Sequence, residues 1–298
     1  MKKPNIWYII LVLVMLIWGS FFPVSKLIVT DISPLLMAFL RYFLAIIPLF
    51  PLFLFEKKRR ERVSLKDTGM MVLLGLAGIT AFSIFIFYGI QLSSSTTSSI
   101  LVNSQPIFAT LLSPLLIQER VTRRQILGVV LGLFGMAWVV TGGDFTVFSM
   151  SNRFILGNLL GICGAASISI FYILLKQYVV RYGSIIPTFI TMAGGTGFLF
   201  LALIIAKVPF SSLMTINGRQ WLMILYLSIV ATSFVYVLFN RAIDTVGVIK
   251  STGFKFLIPV FAVILSILFL GERAGSSLYL GFAAVIVSIL FIQVPGKK

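Results

Sequence analysis

The chain has 298 residues, of which 59% are hydrophobic and only 11% charged, with a mean hydropathy of +1.09; a soluble domain is nearer half apolar and a quarter charged. One cysteine, Cys163, and no histidine exclude an intramolecular disulfide, argue against a Cys/His metal site and remove histidine as a catalytic base or proton relay. The net charge of +16 would suggest nucleic acid in a soluble protein, but these basic residues stand at the ends of apolar runs, which points to topology and to anionic lipid headgroups instead.

Ten membrane spans are predicted, at about residues 6–29, 35–55, 68–90, 95–117, 126–142, 155–177, 187–206, 220–240, 248–270 and 277–294. Span 1 is too long for a cleavable signal and no small-residue cleavage site follows it. It carries Trp18, placed to stack on a substrate or simply to pack, and ends near Lys26, an interface anchor. In span 2, Arg41 lies seven residues past Pro34, about 10 Å along a helix. It pairs with helix-end carbonyls near the outer surface or forms part of an anion-attracting entrance. Polar groups facing lipid would be costly, so polar stripes mark inward faces. Thr80, Ser83 and Gln91, with Tyr88 adjacent, form one in span 3. Asn103, Thr110 and Ser113 form one around Pro106 in span 4, Ser169, Tyr172 and Lys176 in span 6, and Ser228, Thr232, Tyr236 and Asn240 in span 8. For a single Ser or Thr, a bond to its own helix backbone explains burial as well. Gly128, Gly132 and Gly135 let span 5 approach another helix closely, as an internal contact or a dimer face. Span 9 contains Lys255, five residues past Lys250. An ionisable group at that depth attracts a carboxylate or phosphate, or snorkels to the interface.

Seventeen of the 24 basic residues fall on one side, including Lys57, Lys58, Arg59, Arg60, Arg62 and Lys66, then Arg120, Arg123 and Arg124. The positive-inside rule therefore puts both termini in the cytoplasm. One segment occurs twice at an offset of 153: Pro106, Glu119, Arg120 and Gly128 recur as Pro259, Glu272, Arg273 and Gly281. Between Pro106 and Arg120, eight of fifteen residues are identical to their counterparts. Polar Ser, Glu and Arg in register indicate internal duplication rather than shared apolar composition. Each half, residues 1–150 and 151–298, holds five spans, an odd number, so the second starts on the opposite side and the halves are inverted repeats. Pro106 and Pro259 remove a donor inside spans 4 and 9 and leave the carbonyls of Val102 and Lys255 without a helical partner. Matched kinks of this kind mark transporter sites, although proline is also common as a packing kink in membrane helices. Glu119 and Glu272 stand at span ends beside an Arg. A salt bridge and a favourable charge near the start of spans 5 and 10 account for them more simply than proton coupling.

The ten spans, the two five-helix halves, the paired Pro-x12-Glu-Arg-x7-Gly segments, Trp18-Gly19 and Pro34 to Arg41 resemble the EamA group of the drug/metabolite transporter superfamily. The resemblance covers nearly the whole chain and implies a central cavity lined by spans 1, 3, 4, 6, 8 and 9, with spans 5 and 10 peripheral. Asn103 departs from the pattern, because its counterpart is Phe256 where many relatives keep a second polar residue, and Lys255 stands beside it.

The expectation is an all-α membrane transporter in the bacterial cytoplasmic membrane, with no enzymatic activity, metal or cofactor. It would move a small organic metabolite by alternating access, an amino-acid-like zwitterion or organic anion, in the export direction. Candidate substrate contacts are Lys255, Asn103, Trp18, Tyr88, Gln91, Tyr172, Tyr236 and Asn240, with Arg41, Glu119 and Glu272 as structural or gating residues. Expected partners are the small molecule and membrane lipids, not nucleic acid, with the chain a monomer or a homodimer through spans 5 and 10. The competing readings are a multidrug carrier for amphipathic compounds, a channel, and a membrane enzyme. A cation site would want a buried acid, and a membrane enzyme would want clustered acids, histidines or metal ligands.

Overall fold

A computed structural model describes residues 6–26, 28, 32–56, 63–92, 101–141, 144, 152–270 and 277–293. Within them lie ten helical rods: α1 (Ile6–Lys26), α2 (Pro34–Phe55), α3 (65–92), α4 (Gln105–Ile117), α5 (Arg123–Thr141), α6 (Asn152–Tyr182), α7 (Ile185–Ile205), α8 (Gly218–Val246), α9 (248–270) and α10 (Ser277–Gln293). The described residues contain no strand. A helix satisfies its backbone internally, which lipid requires. Five rods are long and apolar enough to cross a membrane by themselves, and the apolar runs of α1, α4 and α10 are shorter. The ends carry local signals. Ser64 accepts the N–H of Asp67 at the start of α3, Asn217 and Gln220 form a capping box on α8, and Pro34 occupies the first turn of α2.

Polar side chains are gathered inside, among a mainly apolar core, and the surface is apolar. Ser83, Asn103, Thr110, Ser113, Ser169, Thr232, Asn240 and Lys255 are buried, while Leu115, Ile126, Phe134, Tyr279 and Leu290 are exposed. That inversion suits a lipid solvent.

Four irregularities set the centre. Residues Leu76–Ala81 of α3 and Tyr226–Phe234 of α8 are π-helical; shifting the first by 153 gives 229–234, inside the second. Such bulges release carbonyls that other groups must satisfy. Trp18 Nε1 takes that of Ala231 at 3.0 Å, and Ser167 Oγ donates at 2.8 Å to that of Ala77, which also accepts the N–H of Phe82. The other two are breaks. The chain turns at 103–104 before α4, and Phe254–Phe256 is a 3-10 turn inside α9. The expected kinks are therefore corrected to interruptions. Pro106 stands in the first turn of α4, and Pro259 is the third residue of the segment Leu257–Leu270, where a missing N–H costs little. The N–H of Ser104 turns back to Leu101, and that of Leu257 to Lys255 and Phe254.

The glycine stripe of α5 is used within the chain. A Cβ on Gly128, Gly132 or Gly135 would come within 3 Å of atoms of α10, its most extensively packed neighbour. This stripe is thus an internal contact and not a dimer face.

Candidate functional site

Lys255 does not snorkel. It is 3% exposed, and its ammonium sits 4.3 Å from the ring centre of Tyr172 and 4.8 Å from those of Trp18 and Phe239. Its hydrogen-bond acceptor is Gln105 Oε1 at 2.5 Å. No carboxylate pairs with it among the described residues. Five elements meet here: α1 brings Trp18, α4 Gln105, α6 Tyr172, α8 Phe239 and α9 the lysine. Burying a charge is costly; ring faces and an amide dipole offset part of that cost.

The cage continues outward. Tyr236 stacks edge-on against Trp18 at 5.7 Å and shares a 3.2 Å hydroxyl contact with Tyr42 of α2. Next to Tyr42, Arg41 donates from Nε to Thr232 Oγ1 at 2.6 Å and lies 4.4 Å over the ring of Phe21. Arg41 therefore ties α2 to the π segment of α8. The lining expected from spans 1, 3, 4, 6, 8 and 9 is modified: α2 enters through Tyr42, while α3 acts indirectly, Gly78 leaving room for the Phe171 ring that packs on Tyr172.

On the other side of Lys255 the site is closed by a different cluster. Glu119 pairs with Lys176 at 3.0 Å and accepts the N–H groups of Val248 and Ile249 at 3.4 and 3.3 Å. The expected role at the start of span 5 is corrected here: this carboxylate caps α9, and its partner is Lys176 rather than the adjacent Arg120. Gly247 turns the chain into α9 with φ +94°, and a Cβ there would come within 2.9 Å of Glu119 Oε1. Between this plug and the cage, Thr110 Oγ1, Ser113 Oγ, Asn240 Oδ1 and Ser251 Oγ are buried without a hydrogen-bond partner among the described residues. Asn240 Nδ2 itself donates to Thr188 of α7 at 2.8 Å.

Of the sequence-predicted contacts, Lys255, Trp18, Tyr172 and Tyr236 come together. Asn103 is buried in the turn that launches α4, and Asn240 lies one turn beyond Tyr236. Tyr88 is 47% exposed and lines a separate cleft of about 220 Å³ with Ser33, Pro34, Leu35, Ile84, Ala206 and Val208. The surroundings of the Gln91 side chain and all of Glu272 lie outside the described residues. Sequence reasoning missed Gln105, Tyr42 and Phe239. Gln105 adjoins Pro106, which was the available signal.

Comparison with known proteins now bears on this geometry. The EamA-like transporter family matches the chain twice, over residues 5–141 and 155–294. An uncharacterized transporter of Archaeoglobus fulgidus is 27% identical over 89% of this chain and 90% of its own length. The Bacillus subtilis transporter YetK is 28% identical over 100% and 89%. A protein of Streptantibioticus cattleyicolor named "Probable terminal-alkyne amino-acid exporter" is 25% identical over 79% and 75%. One crystal structure superposes with a TM-score of 0.81 over 95% of this chain and 94% of that one, at 15% identity, which speaks for the fold alone.

Proposed function

Because the chain belongs to the EamA-like transporter family, a family of multi-pass membrane transporters and not of enzymes, we propose that it is a secondary carrier whose substrate binds at Lys255. The substrate class is a small organic anion or an amino-acid-like zwitterion, exported across the bacterial cytoplasmic membrane. The observation that carries this reading is a buried ammonium, enclosed by aromatic rings and lacking any carboxylate partner among the described residues. An intramembrane charge without a counter-charge favours an arriving anion. The relative named as an amino-acid exporter is compatible with that class. A multidrug cation carrier would place an acid where Lys255 stands.

Alternating access follows from two five-helix halves rocking about the centre. It is supported by the double family match and by the paired irregularities of α3 with α8 and α4 with α9. With both termini cytoplasmic, the Glu119–Lys176 plug faces inward and Arg41 lies on the outer side. Reconstituted protein should show saturable, counterflow-stimulated uptake from a panel of amino acids and organic acids, and Lys255→Met should abolish it with the fold intact. Flat counterflow across the panel counts against carriage, steady conductance indicates a channel, and normal transport by Lys255→Met removes the site.

A further inference from the structure

We infer that the Gln105 side chain is an internal stand-in for a substrate carboxylate, which lets the carrier return empty and makes it a net transporter of monocarboxylates rather than an obligatory exchanger. This rests on the reading of Lys255 as the substrate anchor.

Few directions around the ammonium are open to an anion. Three sides of the ammonium face the rings of Trp18, Tyr172 and Phe239. Aromatic faces carry partial negative charge and disfavour an anion. The remaining direction is held by Gln105 Oε1. A carboxylate oxygen has the size and planar acceptor geometry of an amide oxygen. An incoming carboxylate therefore reaches Lys255 by taking the place of that amide.

The charge count limits the ligand to one negative charge. The ammonium supplies one positive charge, and the other groups around it are the three rings and the Gln105 amide. A phosphate or dicarboxylate would press a second negative charge against these ring faces, where none of the described contacts of Lys255 is a second cation.

This exchange asks the Gln105 side chain to turn while its backbone stays. Gln105 is the first residue of α4, directly after the turn at 103–104. Its backbone carbonyl is anchored by Ser169 Oγ of α6 at 3.0 Å, so the side chain can swing while the main chain stays. When substrate leaves, the amide returns and Lys255 keeps an acceptor in the dry interior. An empty carrier so satisfied can close and reorient. Without the amide, the ammonium is an unpaired buried charge until the next carboxylate binds, and reorientation waits for it.

The test uses liposomes loaded with radiolabelled benzoate or L-leucine, comparing net efflux into probe-free buffer with exchange against the same compound outside. Wild type is expected to do both. Gln105→Leu should keep exchange within about three-fold but lose net efflux by about ten-fold or more, the scale of a hydrogen bond to a charged group. Gln105→Glu should lose both modes, because a fixed carboxylate on α4 occupies Lys255 permanently. Thermal melting of each variant reports folding, and where Gln105→Leu does not fold, Gln105→Met serves in its place. Wild-type net efflux by the Leu or Met variant overturns the stand-in, and so does normal exchange by Gln105→Glu. Failure of the site reading looks different: Lys255→Met then transports both probes normally. Wild type that moves neither probe, or moves phenyl phosphate as well as benzoate, overturns the monocarboxylate class.

Discussion

At the ammonium of Lys255, three ring faces and one amide oxygen take the place of water. Each cation–π contact contributes about 0.5–2 kcal/mol, more when desolvated, so losing one ring should be measurable. Trp18 adds a second role, because its Nε1–H satisfies a carbonyl freed by the π segment of α8. Trp18→Leu removes both and should lower stability by about 1–3 kcal/mol. Trp18→Phe keeps a ring and should cost less. Equal melting temperatures for the two variants would mean that the ring contributes nothing. Glu119 offers a parallel case at the far end of α4. It holds Lys176 and two backbone N–H groups of α9, whereas Lys176 holds only the carboxylate among the described contacts. Glu119→Gln should therefore destabilise more than Lys176→Gln, by about 1 kcal/mol. The double variant should fall short of the sum, as neighbours that share a contact do. Additive losses in thermal melting would show that the pair is not coupled.

At the scale of elements, the apolar spans were readable because a membrane imposes length, and nine of ten predicted helices match to within about six residues. Span 4 was the exception: its first described turn, 101–102, is cut off from α4 by the turn at 103–104. Proline announced an irregularity there without saying whether the helix bends or stops. The π segments left no mark in the sequence, since the same residues Leu76–Ala81 suit either winding. Lys255 and Trp18 were legible as candidates because a lysine inside a span and a tryptophan near it are exceptional types. Gln105 was not, because the internal offset pairs Lys255 with Val102 and only the folded chain brings the amide across. The glycine stripe was visible, but its partner α10 was not. That contact supports a sharp contrast. A Cβ on Gly132 would sit 2.3 Å from the ring of Phe256, adjacent to Lys255, and 2.5 Å from Ser288 Oγ, whereas one on Gly197 meets nothing within 4 Å. Gly132→Ala should cost about 1–3 kcal/mol through overpacking and reduce transport by shifting α9. Gly197→Ala should leave melting unchanged or slightly raised. Equal melting of the two would place α10 elsewhere.

For the whole molecule, the basic residues and the outward apolar surface act together. Leu, Ile and Phe side chains exposed on α2, α5 and α10 are solvated by acyl chains, and the lysines and arginines at rod ends decide which end stays in the cytoplasm. The loop holding Lys57 to Arg62 carries the heaviest charge, and the connection after α7 carries Lys207 alone before Arg219. A ten-span chain with cytoplasmic termini must put these two connections on opposite sides. The sequence makes the experiment simple, because Cys163 is the only native thiol to remove. In a Cys163→Ser background, Ser211→Cys should react with a membrane-impermeant maleimide in intact cells. Arg60→Cys should react only after the membrane is opened. The reverse pattern would invert the molecule, exchanging the inner plug at Glu119 for the outer approach at Arg41 and turning the proposed export route around. Labelling of both sites in intact cells would mean an even number of crossings between them, and the two-halved architecture would fail with it. Two or four crossings beyond Arg60 reach a different side from five, so the result also checks that the number of crossings from α3 to α7 is odd. The broken α4 is the segment where that count is most exposed to error, since only Gln105–Ile117 is continuous helix.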